Sequence, residues 1–185
     1  MRNLIFLLLI FLFSTELIFA QPPSDTAAIK KQLAEIYKRD QGVRKSDDSA
    51  AFMSMIDSSN LVQVEALIAT YGWMGKSKIG TMGNYTLWLV IQHADLATQE
   101  KYLPMLEKSV AEGESRASEL AYLKDRVLMR QGKKQIYGTQ VVPSGNGMQE
   151  FWPIEDMTNV DKRRAEVGLE PIEQYAKKFN MYMRK

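Results

Sequence analysis

Leu87-Trp88-Leu89-Val90-Ile91-Gln92-His93-Ala94-Asp95 decides how the rest of the chain is read. Five large apolar residues run into a polar end that holds the single histidine of the protein. Apolar around its whole circumference, the run predicts a buried central helix and not an amphipathic surface one. Its end puts Gln92, His93 and Asp95 where an interior meets a cleft, the setting in which protonation can be tuned away from its ordinary range.

Helical signals flank this run on both sides. Before it, Ser24 or Asp25 can cap a helix carrying Ile29, Leu33, Ile36 and Tyr37 at helical spacing, and Asp40 and Arg44 extend that stripe. At 100° per residue Asp40 falls about 20° from Ile29 and Arg44 about 60°, so both point the way the apolar face points. Residues 45–59 are rich in Ser and Asp and offer a short helix around Ala51 to Ile56. A stronger one starts at a cap on Ser59 or Asn60, carries Leu61, Val64, Leu67, Ile68 and Tyr71, and stops at Gly72. A glycine-dotted loop with Gly75, Gly80 and Gly83 then leads into the central helix. Gly75-Lys76-Ser77 matches the end of a phosphate-binding loop, but Thr70 stands where its first glycine belongs, so loop flexibility is the simpler reading.

After Asp95, Thr98 can cap a helix through Tyr102, Leu103, Leu106 and Val110 that stops at Gly113 and carries Pro104. Another runs from about Ser118 to Gln131, with Asp125 and Arg126 on opposite flanks of its apolar face. The pattern then turns to β: residues 135–142, turn chemistry at 143–147, and a return over 148–154 predict a hairpin, with Pro153 confining its second strand to an edge. Asp156 and Pro171 open two last helices. The expected fold is therefore mainly α: a single compact domain over 21–185, of about six helices with one β-hairpin (about 135–154) before the C-terminal helices.

Composition sets the class. The chain has 185 residues, 45% hydrophobic and 25% charged, with a net charge of +2, which fits one ordinary globular core. The lack of any basic tract argues against nucleic acid as a partner. Arg2, the apolar run Leu4 to Phe13, and Ala20 before Gln21-Pro22-Pro23 read as a secretory signal peptide over residues 1–20, cleaved after Ala20. Ten apolar residues fall short of the roughly twenty that span a bilayer. Ile18 stands where a small residue is preferred, which keeps an uncleaved anchor as the second reading. The expected mature protein is secreted or periplasmic and has no membrane span. With no cysteine there is no disulfide, thiol nucleophile or lipid-modified cysteine.

One ordered set of short segments then points to a family. It comprises Asp40-Gln41 with Arg44, Tyr71-Gly72-Trp73, Gln92-His93-Ala94-Asp95 with Gln99, and Ala121-Tyr122-Leu123 with Asp125-Arg126. It continues with Tyr137-Gly138-Thr139-Gln140, Pro153-Ile154-Glu155-Asp156, and Arg163-Arg164 with Val167-Gly168-Leu169. Together these resemble the bacterial family known as domain of unknown function 6624, over nearly all of the mature chain. The family commonly has proline after Tyr-Gly-Trp, and Met74 stands there instead. The resemblance implies the extent of the domain and no reaction.

The candidate site follows from chemistry. His93, Asp95, Asp125 and Arg126 form the expected catalytic set, with His93 as general acid or base and a carboxylate orienting its ring. Asp40, Arg44, Gln92, Tyr137, Gln140 and Arg164 are the expected substrate-binding residues, the guanidinium groups offering paired donors to an anionic group. No Gly-x-Ser-x-Gly elbow points to serine catalysis. A metal site is disfavoured, since His93 and Asp95 point about 200° apart on a helix and no second nitrogen or sulfur ligand is at hand. No cofactor is implied. Two readings stand: an acid/base enzyme, hydrolase-like, acting on a small polar or anionic substrate, and a non-catalytic helical binding or structural module of the cell envelope. Its partner is accordingly a small molecule or an envelope protein.

Overall fold

A computed structural model describes residues 26–46, 49–144, 147–179 and 181. The expected signal peptide, the Pro22-Pro23 break, the caps at Ser24 or Asp25 and the turn residues Gly145 and Asn146 lie outside the described residues. Among the described residues the order is α1 (Thr26–Val43), α2 (Ala50–Tyr71), α3 (Lys76–His93), α4 (Leu96–Ala111), α5 (Ala117–Arg130), β1 (Val141–Pro143), β2 (Gln149–Phe151), α6 (Val160–Glu166) and α7 (Ile172–Lys178). The protein is mainly helical, with seven helices among these residues and a two-stranded antiparallel hairpin before the last two. No helix among them is long and apolar enough to cross a membrane.

The apolar run of α3 lies at the centre of this arrangement. Leu87 and Ile91 are wholly buried, and Leu89 and Val90 nearly so, because α3 packs against α1, α2, α4 and α5. Leu33 and Ile36 of α1, Val64 of α2, Leu106 of α4 and Leu123 of α5 close around it with no exposed surface. Each such side chain contributes roughly 1.5–3 kcal/mol by leaving water. The periodic positions read from the sequence are the ones that point inward.

Three boundaries differ from expectation. The glycine-dotted stretch is not a loop but the first half of α3, which changes direction at Gly80 (φ 77°), a backbone state that glycine adopts without a Cβ penalty. Residues 50–71 form one helix and not two. Ser49 caps it by accepting from the Phe52 amide, and the Ser/Asp/Asn stretch that reads as a cap is held inside the helix by other partners. Ser58 bonds back to the Ser54 carbonyl, Asp57 takes Arg44, and Asn60 takes Arg39. At α4 the cap is Asp95 and not Thr98: the Asp95 carboxylate accepts from the Thr98 amide at 2.8 Å.

The hairpin is shorter than 135–154. Only Val141–Pro143 and Gln149–Phe151 pair, in the register Val141↔Phe151, Val142↔Glu150 and Pro143↔Gln149, joined by an isolated parallel bridge between Gln135 and Ile154. Residues 135–140 form a loop in which the amides of Ile136, Tyr137, Thr139 and Gln140 turn to side chains for partners. That departure shapes the site.

Candidate functional site

The sequence-predicted residues separate into two groups. The first gathers where α1, α2, α3 and α5 meet. Arg44, just past the end of α1, donates from Nε to His93 Nε2 at 3.2 Å. Its Nη2 reaches Asp57 of α2 at 2.8 Å and Asp40 of α1 at 3.3 Å. Asp40, 1% exposed, also accepts from Gln41 Nε2 at 2.9 Å. Burial pushes its carboxyl up, and the Gln41 bond and the Arg44 charge pull it back. The inward direction of the Asp40–Arg44 pair is thus as expected.

His93 ends α3 and lines an open cleft of about 420 Å³, together with Met53, Asp57, Ser58 and Leu61 of α2 and Asp95. Because Nε2 accepts from Arg44, the neutral ring carries its proton on Nδ1. Burial, followed by the charges of Arg44, Arg126 and Arg130, lowers its pKa to about 3. The histidine is therefore neutral at rest, and one of its two nitrogens is occupied by a guanidinium.

The cations around it are unevenly matched. Arg130 donates to the Ala94 carbonyl beside the histidine. Arg126, on the same face of α5 one turn earlier, is half-buried, and its Nε is buried without a partner. Burial lowers its pKa, as do the like charges of Arg130 and Arg44, while Tyr175 acts the other way. Asp40 and Asp57 are committed to Arg44, whose own Nη1 is also buried and unpartnered, and the exposed Asp95 carboxylate lies within the field of Arg130. Three guanidinium charges thus act on one neutral imidazole, and one of the three groups, that of Arg44, touches it.

The second group surrounds the loop 135–140. Asp125 of α5, wholly buried, accepts from the amides of Ile136 (2.7 Å), Tyr137 (3.1 Å) and Thr139 (3.0 Å) and from the Thr139 hydroxyl (3.0 Å). Burial pushes its carboxyl up, and these donors pull it down. From the other side, Arg164 donates to the carbonyls of Glu170 (2.6 Å), Tyr137 (2.8 Å) and Gly138 (3.3 Å), with its guanidinium 5.0 Å from the Tyr175 ring centre. Gln140 donates to the Tyr122 carbonyl and to Thr139 Oγ1. Asp125, Tyr137, Gln140 and Arg164 therefore fix this loop to α5 and α6 and are not gathered at His93. Asp95, exposed, caps α4 at the rim of the cleft. Gln92 is buried: its carbonyl accepts from Gln99 Nε2, and its own Oε1 has no partner.

Two residues of the His93 cluster escape the sequence reading, Asp57 and Arg130. Asp57 does carry a signal: counting back from Ile68 and Val64 through Leu61, helical spacing lands on it, much as the stripe of α1 lands on Asp40. Among the described residues, no set of three or more His, Asp or Glu side chains is placed to hold a metal ion.

Against the families of known proteins, a family model for a family of unknown function, DUF6624, matches residues 16–183. The chain belongs to DUF6624. No curated protein and no solved structure matches it. The DUF6624 match takes in every residue of both groups, and Met74, where the family commonly has proline, is buried with its carbonyl accepting from Asn84 Nδ2 at 3.0 Å.

Proposed function

We propose that this DUF6624 chain is exported through a leader over residues 1–20, and that its single domain binds a small anionic molecule beside His93. The observation that carries this is Arg126, a half-buried guanidinium with an unpartnered Nε and other arginines for neighbours. Such a charge is costly to bury alone and is stabilised by an anion, and its planar donors suit a carboxylate or phosphate.

The same reading gives His93 a task. At rest its Nε2 lone pair is held by Arg44, so it cannot take a proton. An anion among the arginines competes for the Arg44 donors and offsets the positive potential, which frees Nε2 and raises its basicity. His93 then abstracts or returns a proton on the bound molecule, with Arg44 and Arg126 holding the anionic group. The alternative, a non-catalytic module of the envelope, draws support from the resting hydrogen bond itself, since a histidine satisfied by arginine is also what a structural network looks like.

NMR of the single histidine tests the proposal directly. Free protein is expected to show a neutral ring from pH 8 down to 5, and addition of inorganic phosphate or acetate to move the ring signals and bring a titration into that range. A ring indifferent to both anions would overturn the anion site. A ring that responds to them without ever titrating would leave binding and remove acid/base work.

A further inference from the structure

Buried polar atoms that lack a partner are concentrated in one place. Of the seven such side-chain atoms among the described residues, five belong to Arg44, Trp88, Gln92, Gln99 and Arg126, all on or against the C-terminal half of α3. Native interiors leave few groups unsatisfied, and a cluster of them marks a place for a polar guest. The set is mixed in kind. Arg44 Nη1, Arg126 Nε and Trp88 Nε1 are donors, and Gln92 Oε1 and Gln99 Oε1 are acceptors.

Contacts between the helices bring these donors and acceptors to the same end of α3. The Trp88 and Tyr122 rings meet edge to face, 6.3 Å between centres. The Lys76 amide at the start of α3 donates to the Glu114 carbonyl just before α5, and Arg130 at the end of α5 donates to the Ala94 carbonyl just past α3, so the two helices run parallel. One turn further on, Gln92 and Arg126 lie between that ring contact and the Arg130–Ala94 bond. Arg44 comes to this end of α3 from α1 through its bond to His93.

Resting on the anion-site reading, we propose that the ligand is a small oxyanion bearing a neutral hydroxyl on the neighbouring atom, as in a 2-hydroxycarboxylate. The oxyanion takes the donors of Arg126 and Arg44, and the hydroxyl donates to Gln92 Oε1. An ammonium in place of the hydroxyl is disfavoured, since three guanidinium groups already surround the position.

Acetate and glycolate differ only by that hydroxyl, so they are the probes. Each is titrated into the full chain at pH 7, with His93 ring shifts and calorimetry as readouts. Glycolate is expected to bind about tenfold more tightly, the scale of one buried hydrogen bond. Gln92→Met is expected to remove that preference while leaving acetate binding within about twofold. If neither anion binds, the anion-site reading itself fails. If both bind equally to the wild-type protein, the anion site stands and the hydroxyl inference is overturned. A preference that survives Gln92→Met overturns the role given to Gln92. Should that variant not fold, the wild-type comparison still decides on the hydroxyl.

Discussion

His93 resists a proton because burial and three guanidinium groups oppose a further positive charge, and that resistance has a sign in stability. Its pKa of about 3 in the folded state lies below the roughly 6.5 of an unfolded histidine. Between those values the unfolded chain holds the proton and the native one does not, so stability rises with pH there. The contribution is fully present above about 6.5 and is lost as pH falls toward 3. From pH 7 to pH 5 the wild-type protein should lose about 2 kcal/mol more than His93→Gln, read by urea unfolding at both values. Parallel losses in the two proteins would mean that the native ring accepts protons freely. At this scale the sequence was partly transparent. Asp40 and Arg44 betray themselves by sitting on an apolar stripe, whereas Asp57 hides among serines that look like a helix boundary. The role of Asp125 is invisible from its neighbours, because its partners are the main-chain amides of a loop 11 to 14 residues downstream.

Helix existence was legible wherever apolar spacing persists for several turns, and helix limits were not. The stretch 57–60 resembles a cap, yet tertiary partners from α1 keep it helical. The loop 135–140 has the residue types of a strand, yet one carboxylate claims the amides of Ile136, Tyr137 and Thr139. Removing that carboxylate should expose the dependence: Asp125→Asn keeps the shape, loses acceptor capacity and charge, and is expected to lower stability by about 3 kcal/mol in thermal or urea unfolding. An unchanged midpoint would show that the loop holds itself. Gly138 offers a sharper probe. Its φ is 68°, and an added Cβ would lie 2.6 Å from Ile172 Cδ1 and 2.9 Å from Ile154 Cδ1. Gly138→Ala is expected to cost clearly more than the roughly 1 kcal/mol of conformational strain alone. Gly113→Ala, with φ 73° and open space around it, should cost only that strain. Equal losses in the two variants would remove the packing argument.

For the whole molecule, the net charge of +2 reveals nothing of the site, because a sum over the chain does not locate the half-buried Arg126 or its unpartnered Nε. Anion binding there should raise the unfolding temperature of the full chain in proportion to the logarithm of phosphate concentration above its Kd. Arg126→Gln should flatten that response, and a response that persists in the variant would place the anion elsewhere. The overall class, helices around one apolar centre with a small hairpin late in the chain, follows from periodicity, which is a property of local sequence. How the last third attaches does not, because it depends on main-chain atoms that every residue has. The backbone of Ile136 to Thr139 is gripped from two directions, its amides by Asp125 and its carbonyls by Arg163 and Arg164. In deuterium exchange this irregular segment should therefore behave like the interior of a helix, and its protection should vanish together with that of α6 and α7. It is the seam along which the C-terminal third would come away, and a protease cutting there would report on the opening of the whole junction, not on the motion of a surface loop.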